Sequence, residues 1–303
     1  MEKEKTPEPE NDAAAGGSLC LLSLNLGLLG FELRSRWHVA LASGNDERVM
    51  AAPPILSSVD ADIIALQEVY GSANRRLLLQ ALSQRYPHHV EPPRSYSLVD
   101  NGLLLLSRFP ILQSAFTPCR GAPRWTSPLW KQGFLAAEID MPVFGRSWLI
   151  NVHIAASLPF GNPNAAVSEE NRTREIAQLL SAASAVDPAA ILIGDFNTSE
   201  EIYPANYRRL IAAGYVDAFI AANGSARHSP AFTWDAANPI NAGGRFRDFP
   251  SQRIDHVFIH NARMASFTSI AARVVFQERS VRMKAGYSAC LSDHYGMLVT
   301  LTR

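Results

Sequence analysis

The chain has 303 residues, 47% of them hydrophobic, which allows a sizeable core in one large domain or two ordinary ones. Lysine plus arginine equals aspartate plus glutamate at 28 each, and the sequence pI is about 7.1. A dedicated nucleic-acid binder usually carries a basic excess, because neutralising phosphates supplies most of its affinity, so this balance argues against a nucleic-acid partner.

The chain opens on a charged segment that becomes rich in alanine and glycine, and residues 1–17 are predicted to be a disordered tail. The apolar segment Leu19–Phe31 follows. It starts late for a signal peptide, follows an acidic tail and contains Ser23 and Asn25, so we predict a buried strand. No stretch has the roughly 18 apolar residues of a membrane span. We expect a cytoplasmic protein, at most peripheral on a membrane.

Apolar runs of strand length recur along the rest of the chain, and each predicts a β-strand. Strands and helical patterns mix without regular βαβ alternation, which favours packed sheets with outer helices over a Rossmann or TIM pattern. The predicted strands are Leu19–Leu24, Ile63–Leu66, Gly102–Leu106, Phe134–Ile139, Trp148–Ile154, Ala190–Ile193, Ile254–Ile259 and Leu298–Leu301.

Three segments between these runs predict helices. Ser168 can cap one of them, with two glutamates in its first turn and an i, i+3, i+4, i+7 apolar stripe behind it. Ser72 can cap a second. The third covers Tyr207–Ala213 and stops at Gly214, a residue suited to the position just after a helix.

The segment Arg48–Val59 also has a helical pattern, but Pro53 and Pro54 lie inside it. A proline removes a backbone donor and clashes with the preceding turn, so we expect this helix to start late, kink or break there. The sequence shows no repeat and no internal linker. One domain over residues 18–303, after the tail, is the simpler organisation.

The chain has three cysteines, Cys20, Cys119 and Cys290. They are odd in number, widely spaced and form no metal-ligand pattern. A reducing compartment fits this usage best, and we predict that all three are small buried hydrophobes.

Polar side chains end or interrupt six separate apolar runs. Burying such groups is costly unless they are paired or bound to a metal. Any one of them is most often a turn former, a helix cap or a satisfied core histidine, but that explanation would have to hold six times independently. The residues are Asn25, Glu68, His153, Asp195 with Asn197, Asp255, and Asp293 with His294.

Three of these residues are oxygen donors that no cysteine accompanies, namely Asn25, Glu68 and Asp293. Hard oxygen ligands suit Mg²⁺, Mn²⁺ or Ca²⁺ rather than zinc. Mg²⁺ typically takes one or two carboxylates and keeps room for water and a substrate phosphate. The donor set therefore indicates a site for a hard divalent cation.

The remaining residues supply acid–base chemistry. His294 could be a general base if an acid oriented its imidazole and raised its basicity, and Asp255 is the best candidate for that acid. His153 and Asn197 could donate hydrogen bonds to a phosphoryl oxygen as charge builds up on it. The set predicts metal-assisted hydrolysis of a phosphate ester, with water as the nucleophile.

Short motifs around these residues resemble the endonuclease/exonuclease/phosphatase superfamily. They appear in the family's order as "SLN", "LQEV", "NGLLLLSRFPI", "NVHI", "IGDFN", "RIDHVF" and "LSDHYG", and the resemblance covers about residues 18–303. It implies an α+β fold, a four-layer α/β/β/α sandwich in which two packed mixed β-sheets are flanked by helices.

The resemblance also implies a role for each polar residue at the strand ends. The divalent metal, Mg²⁺ with Mn²⁺ as an alternative, would be bound by Asn25 and Glu68 and completed or supported by Asp293. Water would be activated by His294, paired with Asp255. The scissile phosphate would be surrounded by His153, Asp195 and Asn197.

Further details resemble the neutral sphingomyelinase branch of this superfamily. They include "NLGLLGFELR", the helix pattern "NRTREIAQLL", "GYVDAF" and "WKQGFLAAEI". In the last of these, Lys131 precedes a glycine and an apolar strand, and we predict that it contacts substrate.

Three functions stay open. The first is a Mg²⁺-dependent phosphodiesterase that hydrolyses a phospholipid headgroup ester, in the manner of a sphingomyelinase or phospholipase C. The second is a nuclease, or a nucleotide or inositol-phosphate phosphatase, on the same fold. The third is a catalytically dead binding module, which the complete set of polar residues argues against. The balanced charge agrees with a lipid better than with DNA.

Aromatic residues in predicted loops bear on a lipid partner. Trp125, Trp130 and Phe160 could touch a bilayer interface, where tryptophan suits the headgroup zone, or could pack on the protein's own loops. We expect a monomer that takes a phospholipid or sphingolipid substrate, with peripheral membrane contact.

Overall fold

The computed structural model describes residues 17–33, 37–40, 44–93, 101–120, 132–142, 144–156, 165–201, 204–224, 231–243 and 248–303. The tail predicted at the N-terminus lies outside the described residues except for Gly17. So do four residues singled out in the sequence, Trp125, Trp130, Lys131 and Phe160.

The described residues form sixteen strands and seven helices. The strands are β1 (Ser18–Asn25), β2 (Gly30–Leu33), β3 (Trp37–Ala40), β4 (Ile63–Gln67), β5 (His88–Val90), β6 (Leu104–Ser107), β7 (Ile111–Pro118), β8 (Gly133–Met141), β9 (Gly145–His153), β10 (Ile191–Asp195), β11 (Tyr215–Asp217), β12 (Asp255–His260), β13 (Ser269–Val275), β14 (Val281–Arg282), β15 (Ser288–Ala289) and β16 (Gly296–Thr302). The helices are α1 (Asn45–Ser57), α2 (Ser72–Leu82), α3 (Ala165–Val186), α4 (Pro204–Ala212), α5 (Ala218–Asn223), α6 (Pro239–Ala242) and α7 (Asn261–Met264).

Two six-stranded sheets carry the fold. The first has the order β13-β16-β1-β4-β6-β5, and the second has the order β11-β12-β10-β9-β8-β7. In the first sheet β1 runs parallel to β4 and antiparallel to β16. In the second, β10 runs parallel to β9 and antiparallel to β12. Both sheets are therefore mixed.

Three apolar layers separate four layers of secondary structure. The middle layer lies between the sheets and contains Leu21, Ile63 and Ile193. Their chain neighbours point to the outer layers, where one sheet packs on α1 and α2 and the other packs on α3 and α4. Because side chains alternate along a strand, a strand buried on both faces reads as a continuous apolar run. The four-layer α/β/β/α sandwich is confirmed.

All eight predicted strands are present, as β1, β4, β6, β8, β9, β10, β12 and β16. The prediction missed the edge strands β7 and β13, most of whose residues are exposed or half-buried. Their sequences lack a continuous apolar run because one face of each strand contacts little of the core.

The helix predicted over Arg48–Val59 is α1, and the expected late start or break at the prolines is wrong. The helix begins at Asn45 and continues through Pro53 and Pro54. The two prolines remove two backbone donors from the helix. A buried face that includes Val49, Ala52 and Leu56 packs against the first sheet and holds the helix despite that loss.

The predicted helix caps also need correction. Ser168 lies inside α3, which begins three residues earlier, because alanine is a strong helix former and extends the helix towards the N-terminus. Ser72 is the first residue of α2, and the capping position is Gly71, with a φ of 85°. Gly214 does follow α4, with a φ of 90°, where a glycine meets no steric penalty.

The three cysteines are free. Cys290 is buried, as predicted, whereas Cys20 and Cys119 are only half-buried. Among the described residues, no helix is both long enough and apolar enough to cross a membrane.

Candidate active site

The strand directions bring the predicted site residues to one edge of the sandwich. In the first sheet, Asn25 pairs with Gln67 where the parallel strands β1 and β4 end, and Glu68 follows directly. The antiparallel strand β16 begins at the same edge, so that His294 lies just before it.

The second sheet repeats this arrangement. His153 and Asp195 are register partners at the ends of the parallel strands β9 and β10. Asp255 pairs with Asp195 at the start of the antiparallel strand β12. Parallel strands end, and antiparallel neighbours begin, at the same edge of a sheet, which explains why distant segments meet here.

Asp195 lies at the centre of the cluster and is almost fully buried. Its Oδ2 accepts a hydrogen bond from the Asn25 amide at 3.1 Å and lies 3.7 Å from His153 Nε2 and 3.9 Å from His294 Nε2. Its Oδ1 accepts the backbone N–H of Asn197 at 2.9 Å. Burial, with the nearby charge of Asp255, raises the pKa of Asp195 to about 6.

His294 and Asp255 form the pair that the sequence predicts. Asp255 Oδ2 lies 2.9 Å from His294 Nδ1, which leaves Nε2 facing Asp195. Asp255 is fully buried, and the backbone N–H of this residue donates to Thr233 Oγ1. Burial lowers the pKa of His294, but the charge and hydrogen bond of Asp255, with Asp195 and Asp293 nearby, outweigh it and raise that pKa to about 10.

Asn25 and Glu68 are in direct contact. The Asn25 amide nitrogen donates to Glu68 Oε1 at 3.2 Å, while its Oδ1 accepts the backbone N–H of Gly27 at 2.9 Å. Glu68 has a φ of 53°, a left-handed conformation that is uncommon outside glycine. Burial and the charge of Asp293 raise the pKa of Glu68 to about 7.

Asp293 approaches the same place from the segment before β16. Its Oδ1 accepts a hydrogen bond from Ser292 Oγ at 3.0 Å. A Cβ added to Gly27, whose φ is +55°, would lie 2.0 Å from that oxygen. Only glycine therefore fits at position 27 while Asp293 keeps its position.

His153 and Asn197 flank the central carboxylate. His153 Nε2 lies 3.7 Å from both Glu68 and Asp195, and burial lowers its pKa. Asn197 has a φ of 47°, and its amide donates to the carbonyl of Ile154 at 2.8 Å. The structure thus brings together every predicted site residue except Lys131, which lies outside the described residues.

The charges of the cluster suit a divalent cation. Four carboxylates, from Glu68, Asp195, Asp255 and Asp293, meet here, and the raised pKa values of the first two reflect burial together with mutual repulsion. Asp255 Oδ1 is buried and accepts no hydrogen bond from the described residues. A hard cation with oxygen ligands would offset this negative charge.

Two groups of residues could hold such a cation. The resemblance implies Asn25, Glu68 and Asp293, although the Asn25 amide now presents its nitrogen to the carboxylates. Ligand atoms of Asp195, Asp255 and His294 also lie within 4.8 Å of one another. A His294 nitrogen bound to metal could not accept a proton, so the first group leaves the histidine–aspartate pair available for catalysis.

Several supporting residues were missed in the sequence. Gln67 donates to Asn151 at 2.8 Å, and Asn151 donates to the carbonyls of Leu66 and Leu104, so a buried polar bridge joins the two sheets below the site. The signal was present, since both residues interrupt apolar runs next to predicted site residues.

Arg48 is a second supporting residue. It is almost fully buried, and its guanidinium donates to the carbonyls of Leu26, Gly27 and Leu291. These carbonyls belong to the segments that carry Asn25 and Asp293. No local pattern marks Arg48, because these partners lie in loops up to 243 positions away.

The four-layer sandwich gathers carboxylates, amides and histidines at one sheet edge, an arrangement suited to hydrolysis of a phosphate ester. The chain belongs to the Endonuclease/Exonuclease/phosphatase family, whose model matches residues 43–294. By family it is a phosphoric ester hydrolase, as the sequence resemblance implied.

Two curated relatives agree with the neutral sphingomyelinase-like branch of that family. Sphingomyelinase C 2 of Leptospira interrogans is 23% identical over 83% of this chain and 42% of its own length. Inositol phosphosphingolipids phospholipase C of Schizosaccharomyces pombe is 25% identical over 100% of this chain and 70% of its own length. The chain spans less than half the length of the Leptospira protein.

Solved structures share the fold. SmcL has a TM-score of 0.74 and 19% identity over 95% of this chain and 99% of that chain. A beta toxin mutant from Staphylococcus aureus with bound magnesium ions has a TM-score of 0.71 and 17% identity over 93% of this chain and 99% of that chain. Similarity at this level of identity extends to the fold alone.

Proposed function

We propose that this protein is a Mg²⁺-dependent phosphodiesterase that hydrolyses the headgroup ester of a sphingolipid or related phospholipid. The observation that carries the hydrolytic chemistry is the His294–Asp255 pair, whose free nitrogen faces the carboxylate cluster. Asp255 holds the imidazole by its Nδ1, so that Nε2 is the atom that would take a proton from water once a bound cation offsets the carboxylate charges that raise the pKa of His294.

Each residue of the cluster then has its own role in the reaction. His294 Nε2 accepts the proton as the water oxygen attacks phosphorus; the bond to the lipid oxygen breaks, and the lipid leaves with the bonding electrons and takes up a proton to become an alcohol. His153 and Asn197 flank Asp195, and their imidazole and amide N–H groups can donate to phosphoryl oxygens as charge develops. A divalent cation bound at Glu68 and its neighbours would polarise a phosphoryl oxygen and offset its charge.

The lipid substrate class rests on the relatives. One curated relative is named a sphingomyelinase C, and the other is named a phospholipase C of inositol phosphosphingolipids. Their shared chemistry is a phosphodiester between a sphingolipid and a polar headgroup. The zero formal net charge of this chain agrees with such a substrate, because a DNA-directed enzyme gains affinity from a basic surface.

Hydrolysis of sphingomyelin or inositol phosphosphingolipid vesicles should exceed hydrolysis of duplex DNA. The measurement is release of the phosphorylated headgroup, compared with cleavage of nicked or abasic DNA under the same Mg²⁺ and salt conditions. Lipid hydrolysis should depend weakly on salt, since no counterion release drives binding. Robust DNA cleavage without headgroup release from any vesicle would contradict the lipid assignment and leave the hydrolytic site in place.

Two exposed phenylalanines lie near Trp234, whose backbone is paired with that of His294. Trp234 pairs through its backbone with His294 and packs against Phe249, with 6.3 Å between ring centroids. Phe249 is 39% exposed, and Phe232, two residues before Trp234, is 37% exposed. We define these two phenylalanines as the aromatic rim. Aromatic rings suit the boundary between lipid headgroups and hydrocarbon, so the rim supports peripheral docking on a membrane.

The double variant Phe232→Ala, Phe249→Ala should bind sphingomyelin vesicles at least about tenfold more weakly, because each phenylalanine withdrawn from water contributes on the order of 1.5 kcal/mol. Vesicle co-sedimentation measures this effect. The matched control replaces the exposed residues Leu112 and Ile211, which lie on β7 and α4, and should bind normally. Equal vesicle binding by the rim variant and the control would show that the aromatic rim does not contact the membrane.

A further inference from the structure

A second polar cluster lies behind the candidate active site, on the opposite face of β12. Asp255 points towards His294, while His256, the next residue, points into the layer between the second sheet and its helices. There His256 meets Asp217, Arg253 and Tyr207. All four side chains are buried.

Asp217 organises this cluster. Its Oδ2 accepts hydrogen bonds from Arg253 Nη1 at 2.6 Å and from the Tyr207 hydroxyl at 3.0 Å, and it lies 3.0 Å from His256 Nδ1. Its Oδ1 accepts the backbone N–H of Phe219 at 2.9 Å. The carboxylate therefore holds the Arg253 guanidinium and the Tyr207 hydroxyl in fixed positions next to the imidazole.

The second imidazole nitrogen of His256, Nε2, contacts the turn that carries Asp195 and Asn197. His256 Nε2 lies 2.9 Å from the carbonyl oxygen of Thr198. Since a carbonyl only accepts, Nε2 carries the hydrogen and donates it. Nδ1 lies 2.8 Å from Arg253 Nη1 and 3.0 Å from Asp217 Oδ2, so it either accepts from the guanidinium or donates to the carboxylate, and Nε2 is the donor to Thr198 in both cases. The ring stacks on Phe258 and meets the edge of Phe196, so it has no room to turn.

Thr198 ends the turn that carries two predicted site residues. In that turn Asn197 adopts a φ of 47°, a left-handed conformation that asparagine tolerates better than most non-glycine residues. The turn also fixes the Asn197 N–H on Asp195 Oδ1 and the Asn197 amide on the Ile154 carbonyl. Anchoring the Thr198 carbonyl therefore fixes where Asn197 and Asp195 stand.

We propose that His256 is a positioning residue: by donating from Nε2 to the Thr198 carbonyl, it holds the Asp195–Thr198 turn in the geometry the reaction requires. The catalytic consequence rests on the proposed function. The claim that His256 fixes the turn is independent of the proposed function, because hydrogen exchange in the turn can be measured without substrate.

Two substitutions distinguish the effect of the hydrogen bond to Thr198 from the effect of side-chain packing at position 256. In His256→Gln the longer side chain places its amide N–H where Nε2 stands and can keep the bond to Thr198. In His256→Asn the shorter amide reaches only the position of Nδ1 and loses that bond. His256→Phe keeps an aromatic ring without a donor and serves if the asparagine variant does not fold.

The first readout is hydrogen exchange at the Asn197 amide, with the Val257 amide as the internal reference for global stability. Exchange at Asn197 should rise at least about tenfold in His256→Asn and His256→Phe and stay near the wild-type rate in His256→Gln, because an unsatisfied buried carbonyl frees the turn. His260→Asn, a change at the half-buried end of the same strand, is the matched control and should leave Asn197 unchanged.

The second readout is the split between kcat and KM on sphingomyelin vesicles. The asparagine and phenylalanine variants should lose about tenfold in kcat with less than about twofold change in KM, and the glutamine variant should recover most of the loss. Unchanged Asn197 exchange in both His256→Asn and His256→Phe, the variants that lose the bond to Thr198, would overturn the proposal. If the wild type hydrolyses no phosphodiester, the proposed function fails, while the exchange comparison still decides the role of His256.

Discussion

Replacing His294 with alanine should lower kcat by about 10²–10⁴-fold, the range that a positioned general base typically supplies. The imidazole is held by Asp255 at 2.9 Å, and its Nε2 is the free nitrogen next to the carboxylate cluster. Removing it leaves the Asp255 carboxylate buried without its partner, which also costs stability. Headgroup release under saturating Mg²⁺ measures the loss in kcat.

A second variant separates chemistry from folding. In His294→Asn the amide N–H stands where Nδ1 stood and can still donate to Asp255, but no nitrogen replaces Nε2. It should melt closer to wild type than His294→Ala and be similarly inactive. His89→Ala, at an exposed histidine of β5, is the matched control and should keep full activity. Activity within about tenfold of wild type in His294→Asn would rule out the general-base role.

Asp255→Asn tests the partner of the base. Burial lowers the pKa of His294, and Asp255 more than offsets this effect. Without the carboxylate that pKa falls, so the acidic limb of the pH–rate profile should move to lower pH while the maximal rate drops. The drop follows because the imidazole loses the acceptor that orients it. A pH–rate profile with unchanged limbs would show that Asp255 does not set the pKa of the general base.

The candidate site was largely predictable because its residues stand where strands begin or end. Asn25, His153 and Asp195 close apolar runs, and Asp255 opens one, so each leaves a local mark in the sequence. Their convergence follows from strand direction, since parallel ends and antiparallel starts share an edge. The resemblance supplied the role of each residue, which strand position alone does not distinguish.

The supporting contacts were not predictable in the same way. Arg48 binds carbonyls in two loops, Gln67 meets Asn151 across the sheets, and His256 anchors Thr198 from 58 positions away. A buried polar residue shows in the sequence only as an exception to an apolar pattern. Its partner depends on how distant strands pack, and no local rule gives that.

Helix boundaries show the same limit. The prolines of α1 suggested an interruption, but burial of the helix face against the first sheet outweighs the lost backbone bonds. The serine at the start of α2 looked like a cap, but Gly71 takes that position. Tertiary packing keeps α1 continuous through its prolines, and Gly71, which suits an unusual backbone conformation, sets the start of α2.

Chelation with EDTA should abolish activity, and Mg²⁺ or Mn²⁺ should restore it. The reason is the meeting of four carboxylates in one buried cluster, where burial and mutual repulsion already raise the pKa values of Glu68 and Asp195. A hard divalent cation would supply the missing positive charge and the electrophile for the phosphate. Full headgroup release in the presence of chelator would contradict metal dependence.

Glu68→Gln identifies which group of residues holds the cation. If Asn25, Glu68 and Asp293 bind it, loss of the Glu68 charge should weaken Mn²⁺ binding by at least about tenfold in calorimetry, because Mg²⁺-type sites take only one or two carboxylates. Asp255→Asn should then bind Mn²⁺ nearly as well as wild type, and Glu278→Gln, at an exposed site, should not differ from it. The reverse result, with binding lost in Asp255→Asn and kept in Glu68→Gln, would place the cation among Asp195, Asp255 and His294, whose ligand atoms lie within 4.8 Å of one another. His294 would then be a ligand, and the proton acceptor would have to be sought elsewhere in the cluster.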